Sequence, residues 1–287
     1  MSIRDNEERT GAPQADSPPI ENLMPVDESP KNSNPLSFVT PTEFVELPSK
    51  GRYYPENHPL HNEETIEIRY MTAKEEDILT SRTLLKKGIA IDRLLESVIL
   101  DKRIKADGLL IGDKNAIIVA SRITGYGPEY KTNVICPACT EYVIHTFDLE
   151  NMQINFGGPA EGTLETENGT FIIHLDKVDV DVEVKLLTGK DEKALAFSMN
   201  KKKKNKLEET SLTDQFRQFI VSVNDIKDPG LIGALIENMP ATDSRKLRNT
   251  YQKVIPNIDL TQEFICDNCG LEQALEVPFT ADFFWVK

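Results

Sequence analysis

The spacing of apolar residues changes period several times along the chain, and each change marks an element. Phe44 to Gly51 (Phe-Val-Glu-Leu-Pro-Ser-Lys-Gly) predicts a strand running into a turn, and Thr65-Ile66-Glu67-Ile68-Arg69-Tyr70 alternates like a second strand. Thr72 and Glu75 have capping-box spacing. They predict one helix over 73–86 that carries Ile78, Leu84 and Leu85 and stops at Lys86-Lys87-Gly88. Ile91, Leu94, Leu95, Val98 and Ile99 recur at helical spacing, and Asp113 is placed to cap a third helix over 114–124, closed by Gly125. Runs of β-branched and aromatic residues at 132–135, 142–144, 263–265 and 274–277 flank two short turns and predict two hairpins. Between them lie a Gly157-Gly158-Pro159 linker, strands at 171–175 and 180–186, and a helix opened by Thr188 and Asp191 that runs to about Asn200. The stretch 216–223 suits helix or strand equally, and helices follow at 231–237 and 243–254.

Each hairpin turn carries a Cys-x-x-Cys pair, Cys136-Pro137-Ala138-Cys139 and Cys266-Asp267-Asn268-Cys269, and the chain has no other cysteine. A two-residue gap lets two thiolates converge on one ion, and two such turns give the four sulfur ligands of a tetrahedral structural Zn²⁺ site. Iron suits the same sulfur cage. Nothing at the N-terminus resembles a signal peptide, which disfavours two disulfides. Neither pair stands at a helix N-terminus in a βαβ setting, as a thioredoxin-type redox motif requires. Gly270 supplies the positive φ expected just past the second knuckle. Because the ligands come from both ends of the intervening segment, loss of Cys266 is expected to loosen the whole C-terminal half.

The fold expected is therefore α+β: a small helical and β core plus a split four-cysteine zinc ribbon with a long α/β insertion. Residues 1–41 form an acidic, Pro-rich tail that cannot bury enough apolar surface to order itself. An α+β domain spans 42–130, the first ribbon hairpin 131–150, the insertion 151–259 and the second hairpin 260–287. No apolar run reaches the ~18 residues of a membrane span. A net charge of −14 disfavours general nucleic-acid affinity, which depends on neutralising phosphates.

Other candidate chemistry is thin. Lys201-Lys202-Lys203-Lys204, with Lys206, is the one basic run, and Glu208 and Glu209 mute its field, so a solvated loop or helix end is expected. His58 and His61 are separated by Pro59, which argues for a loop, while His145 and His174 are isolated, His145 six residues beyond Cys139. The Gly125-Tyr126-Gly127-Pro128 turn lacks the Lys-Ser/Thr of a phosphate loop, and no Gly-x-Ser-x-Gly occurs. No catalytic constellation emerges, and an all-cysteine site is closed and structural where a catalytic zinc keeps an open position.

Several segments together resemble a known family. They are Glu46-Leu47-Pro48-Ser49-Lys50-Gly51-Arg52-Tyr53-Tyr54-Pro55, the run from Met71 to Thr80, Ile111 to Gly127, both cysteine pairs, Asp243 to Arg248, Pro256 to Leu260, and Phe283-Phe284-Trp285. Over about 43–287 the chain is similar to the baseplate proteins of T-even-type contractile-tailed bacteriophages associated with hub assembly. The family often ends Phe-Phe-Trp-Pro, whereas this chain ends Trp285-Val286-Lys287. The resemblance implies a non-enzymatic hub structural or assembly protein, made late in infection. Its partners would be other baseplate and tail proteins, with neither nucleic acid nor membrane. It would be found in the host cytoplasm during assembly and, as a retained subunit, in the virion baseplate. Candidate partner contacts are Leu23, Met24, Phe38 and Val39 in the tail and Phe283, Phe284 and Trp285 at the end, with local core packing as the alternative for the last three. The competing class is a zinc-ribbon nucleic-acid adaptor or transcription factor, which a basic ribbon would favour. Here Glu141, Asp148, Glu263, Asp267, Glu272 and Glu276 make both hairpins acidic.

Overall fold

A computed structural model describes residues 40–204, 211–278 and 281–284. The fold is α+β. β1 (Thr42–Glu46) pairs antiparallel with β2 (Thr65–Arg69), placing Val45 opposite Ile66 with both inward. The loop between them turns at Ser49 and docks on the helices that follow.

Those helices are α1 (Ala73–Thr80), α2 (Arg82–Lys87), α3 (Ala90–Val98) and α4 (Ile111–Tyr126). The capping box at Thr72 and Glu75 is present. The single helix expected over 73–86 breaks at Ser81, whose ψ of 105° is extended. Thr80, Ser81 and Thr83 crowd that junction, and the Thr80 hydroxyl already donates back to the Glu76 carbonyl. Such hydroxyls compete with the helical ladder. Gly88 ends α2 at φ 69°, as its sequence position implies.

The third expected helix starts earlier and ends later than its sequence signals suggest. Leu110 is its N-cap, and Asp113 lies within the first turn, fully buried. Its carboxylate accepts from Ser49 N (2.9 Å), Ser49 Oγ (2.6 Å) and Tyr54 Oη (2.7 Å), so it anchors the β1–β2 loop to α4 instead of capping the helix. Burial pushes its pKa up, and those bonds only partly offset the effect. Helix closure falls to Gly127 at φ 84°, not Gly125, which sits inside the last turn.

The first expected hairpin follows as β3 (Glu129–Ile135) and β4 (Tyr142–Asp148). Next, β5 (Gln153–Asn155) leads into the intervening segment, where Gly157 and Gly158 take positive φ. That segment builds a four-stranded antiparallel sheet in the order β6 (Thr163–Glu165), β7 (Phe171–Leu175), β8 (Val180–Val184) and, further on, β9 (Ile220–Val223). α5 (Gly189–Lys204) begins where Asp191 accepts from Thr188 N and Oγ1, and it runs through the lysine cluster. Lys202 there pairs with Asp214, while Lys206, Glu208 and Glu209 lie outside the described residues. The ambiguous stretch 216–223 divides: α6 (Ser211–Phe219) gives way directly to β9 (Ile220–Val223). α7 (Pro229–Asn238) and α8 (Ala241–Val254) complete the helices, and α8 packs on β7.

β10 (Asn257–Asp259) then pairs antiparallel with β5, setting Ile258 opposite Ile154. Its approach to α4 is close: a Cβ on Gly112 would lie 2.0 Å from the Pro256 carbonyl oxygen. β11 (Thr261–Ile265) and β12 (Glu272–Glu276) form the second hairpin. Phe283 and Phe284 are buried in a short 3₁₀ turn. Core packing therefore accounts for both, and neither side chain is available as a partner contact. Leu23, Met24, Phe38, Val39 and Trp285 lie outside the described residues.

Candidate metal centre

The two knuckles have the same backbone construction. In the first, Cys136 N donates to Glu141 O (3.0 Å) and Thr140 N to Cys136 O (2.9 Å). In the second, Cys266 N donates to Leu271 O (2.9 Å) and Gly270 N to Cys266 O (2.8 Å). The residue after each pair is left-handed, Thr140 at φ 59° and Gly270 at φ 69°. Glycine signals this conformation in sequence; a β-branched Thr does not, so the equivalence of the two turns was hidden at Thr140.

Facing each other, the knuckles bring all four Sγ atoms within 4.8 Å of one another. Cys136 and Cys269 are 3.7 Å apart, and Cys139 and Cys266 are 3.8 Å apart. A disulfide needs about 2.05 Å. A tetrahedral ion with sulfur at about 2.3 Å requires a sulfur–sulfur edge of about 3.8 Å. The cage can thus hold a metal ion without rearrangement. The backbone N–H groups of Cys139 and Ala138 point at the Cys136 sulfur and lower its thiol pKa by stabilising the thiolate. Asn268 Nδ2 lies 3.6 Å from the Cys139 sulfur.

Aromatic packing beneath the cage aligns the hairpins. Val134, Val143, Phe147 and Phe264 turn inward and are buried. His145 is no ligand: its ring meets Phe147 and Phe264 edge-on, at 4.6 and 5.2 Å between centroids. The Gln262 side chain clamps β4 by accepting from Asp148 N (3.0 Å) and donating to Asp148 O (2.6 Å). His58 stacks on Tyr54, and His61 Nδ1 lies 2.7 Å from the Tyr54 carbonyl, so both serve the loop in which they were expected.

A residue without a sequence signal ties the ribbon to the body. Arg122 is buried and has no carboxylate partner among the described residues. Its guanidinium instead donates to three carbonyls, Phe283 O (3.0 Å), Gly127 O (2.9 Å) and Glu129 O (3.2 Å), and lies over the Tyr126 ring at 5.1 Å. Burial pulls its pKa down.

Among the described residues no helix is long and apolar enough to cross a membrane. No curated protein and no solved structure matches the chain. A family model described as T4 bacteriophage base plate protein matches residues 40–285. Spanning the β1–β2 loop, the helices, both knuckles and the buried aromatic end, that match places the chain in the T4 bacteriophage base plate protein family, a family of phage baseplate structural proteins.

Proposed function

We propose that this baseplate protein acts in building the hub of the tail baseplate, by binding other tail proteins and turning over no substrate. In this reading Cys136, Cys139, Cys266 and Cys269 hold one structural Zn²⁺, and the chain is organised as the α+β unit, split ribbon and insertion set out above. The observation that carries the zinc assignment is the sulfur spacing, which suits a closed four-thiolate tetrahedron with no position left for substrate. Such an ion locks the relative orientation of two hairpins that are otherwise small. A ribbon held this way is a rigid surface for protein contact. The acidic faces of both hairpins weigh against the nucleic-acid adaptor.

Two experiments test the proposal. Elemental analysis of purified protein is expected to give one zinc per chain; stoichiometric iron would change the ion, and no metal would remove the centre. Phage lacking the gene is expected to fill heads but to lack complete baseplates in electron micrographs. Normal tails, or a block at late transcription, would overturn the assembly role.

A further inference from the structure

The outward face of the first hairpin carries an apolar cluster at its knuckle end. Ile135 and Tyr142 are cross-strand partners, and Ile144 is two residues along β4 on the same face. All three are exposed, at 55%, 74% and 60%. Isolated exposed apolar side chains need no explanation, but three adjoining ones on a rigid strand pair mark a contact surface. Among the described residues β3 and β4 pair as strands only with each other, and the side-chain bonds of Gln262 at Asp148 and of Arg122 at Glu129 lie at the end of the hairpin away from Ile135 and Tyr142.

Charge indicates what covers this face. Between residues 129 and 150, Glu129, Glu141, Asp148 and Glu150 stand against a single Lys131. Between 257 and 278, Asp259, Glu263, Asp267, Glu272 and Glu276 stand with no Lys or Arg. All of these carboxylates are exposed. The two hairpins therefore carry eight of the chain's fourteen net negative charges. A second copy would meet like charge, since the whole chain is at −14. The chain's own residues 1–39 also fit poorly, with seven acidic and three basic residues.

We propose that the β3–β4 face, centred on Ile135, Tyr142 and Ile144, docks an extended basic segment of another tail protein, its apolar side chains alternating with Lys or Arg. The apolar positions would cover the three exposed side chains while the cations meet the acidic surround, which steers encounter and excludes acidic competitors. This rests on the assembly role proposed above and adds the site and the partner's chemistry.

The test uses the full chain supplied from a plasmid during infection by phage lacking the gene. A photo-crosslinking amino acid at position 142 is expected to capture a tail protein through a Lys- or Arg-rich segment identified by mass spectrometry. The triple variant Ile135→Thr, Tyr142→Thr, Ile144→Thr keeps β propensity. It is expected to retain the parent's melting temperature and metal content yet lower phage titre at least 100-fold. Full titre from that variant would overturn the docking site. So would no crosslink, or one to a second copy, to residues 1–39 or to an acidic segment. If phage lacking the gene already builds normal tails, the assembly role fails; if it is defective and the triple variant rescues it fully, only the docking site fails.

Discussion

Replacing Arg122 with Met keeps an unbranched apolar stem in place of the arginine methylenes and removes all three of its hydrogen bonds. Phe283 O, Gly127 O and Glu129 O each lose a charged donor at a buried or half-buried position. A buried polar group left without a partner costs about 1–3 kcal/mol. Three of them give about 3–9 kcal/mol, and relief from burying an unpaired cation offsets part of this, leaving a net loss of about 3–5 kcal/mol. That is a large share of the roughly 5–15 kcal/mol that holds a typical domain together. With a urea slope of about 3 kcal/mol per molar, the unfolding midpoint should fall by about 1–1.7 M. Arg122→Lys keeps the charge but offers a point donor in place of a planar fork, so it should recover less than half of the loss. Urea titrations at saturating metal, followed by circular dichroism, measure all three proteins. A Met variant within about 1 kcal/mol of the parent would show that the three carbonyls do not depend on Arg122, and a Lys variant equal to the parent would show that fork geometry is irrelevant.

Three further substitutions test other parts of the structure. Glu75 is fully buried, and burial alone would raise its pKa, but bonds from Ser97, Thr72 and Arg69 hold it down to about 2. A depressed folded-state pKa gives stability that is present above the unfolded value of about 4.5 and lost as pH falls toward 2, in all about 3 kcal/mol; Glu75→Gln should flatten the pH–stability curve across that window, and an unchanged slope would refute the assignment. Gly112→Ala drives a methyl group into the Pro256 carbonyl and should cost about 1–3 kcal/mol by thermal melting, whereas a neutral result would mean that α4 and β10 separate freely. Thr140→Gly removes a β-branched side chain from left-handed backbone and should raise stability by up to about 1 kcal/mol, with a loss counting against strain in the first knuckle.

What was legible in the sequence, and what was not, follows from the range of the interactions. The capping box, the Gly88 stop, α3 and the two cysteine turns are local patterns whose physics lies within a few residues. β5 and β10 have no such signature: three residues each, they recognise one another only because the fold delivers them side by side. Asp113 has the sequence position of a cap but is recruited by Ser49 and Tyr54, which lie more than fifty residues earlier. Arg122 has no local signal, because its carbonyl partners converge from the end of α4, the start of β3 and the 3₁₀ turn that holds Phe283. The division of 216–223 into helix and strand is likewise tertiary, since Phe219 stacks on Tyr251 of α8 while Ile220 joins β8.

The β5–β10 pair also revises what loss of the metal should do. Sequence spacing places the ligands at both ends of the long segment between the cysteine pairs, so that Cys266→Ser would loosen the whole C-terminal half. The structure closes that segment without the ion. Ile154 pairs with Ile258, Gly158 N donates to Val254 O, Asn115 Nδ2 donates to Asn257 Oδ1, and α4 lies against Pro256 through Gly112. Structural zinc sites hold their ion with an apparent free energy of about 10 kcal/mol or more. In the proposed zinc centre that energy would act on the remaining freedom, the orientation of two small hairpins above Phe147 and Phe264. Hydrogen exchange of Cys266→Ser should therefore show lost protection over 129–148 and 261–276, with β7, β8 and α8 protected as in the parent. The same pattern should appear on chelation of the parent protein and reverse when metal is restored. Uniform loss of protection across 163–254 would show instead that the ion, and not the β5–β10 pair, holds the two ends of the segment together.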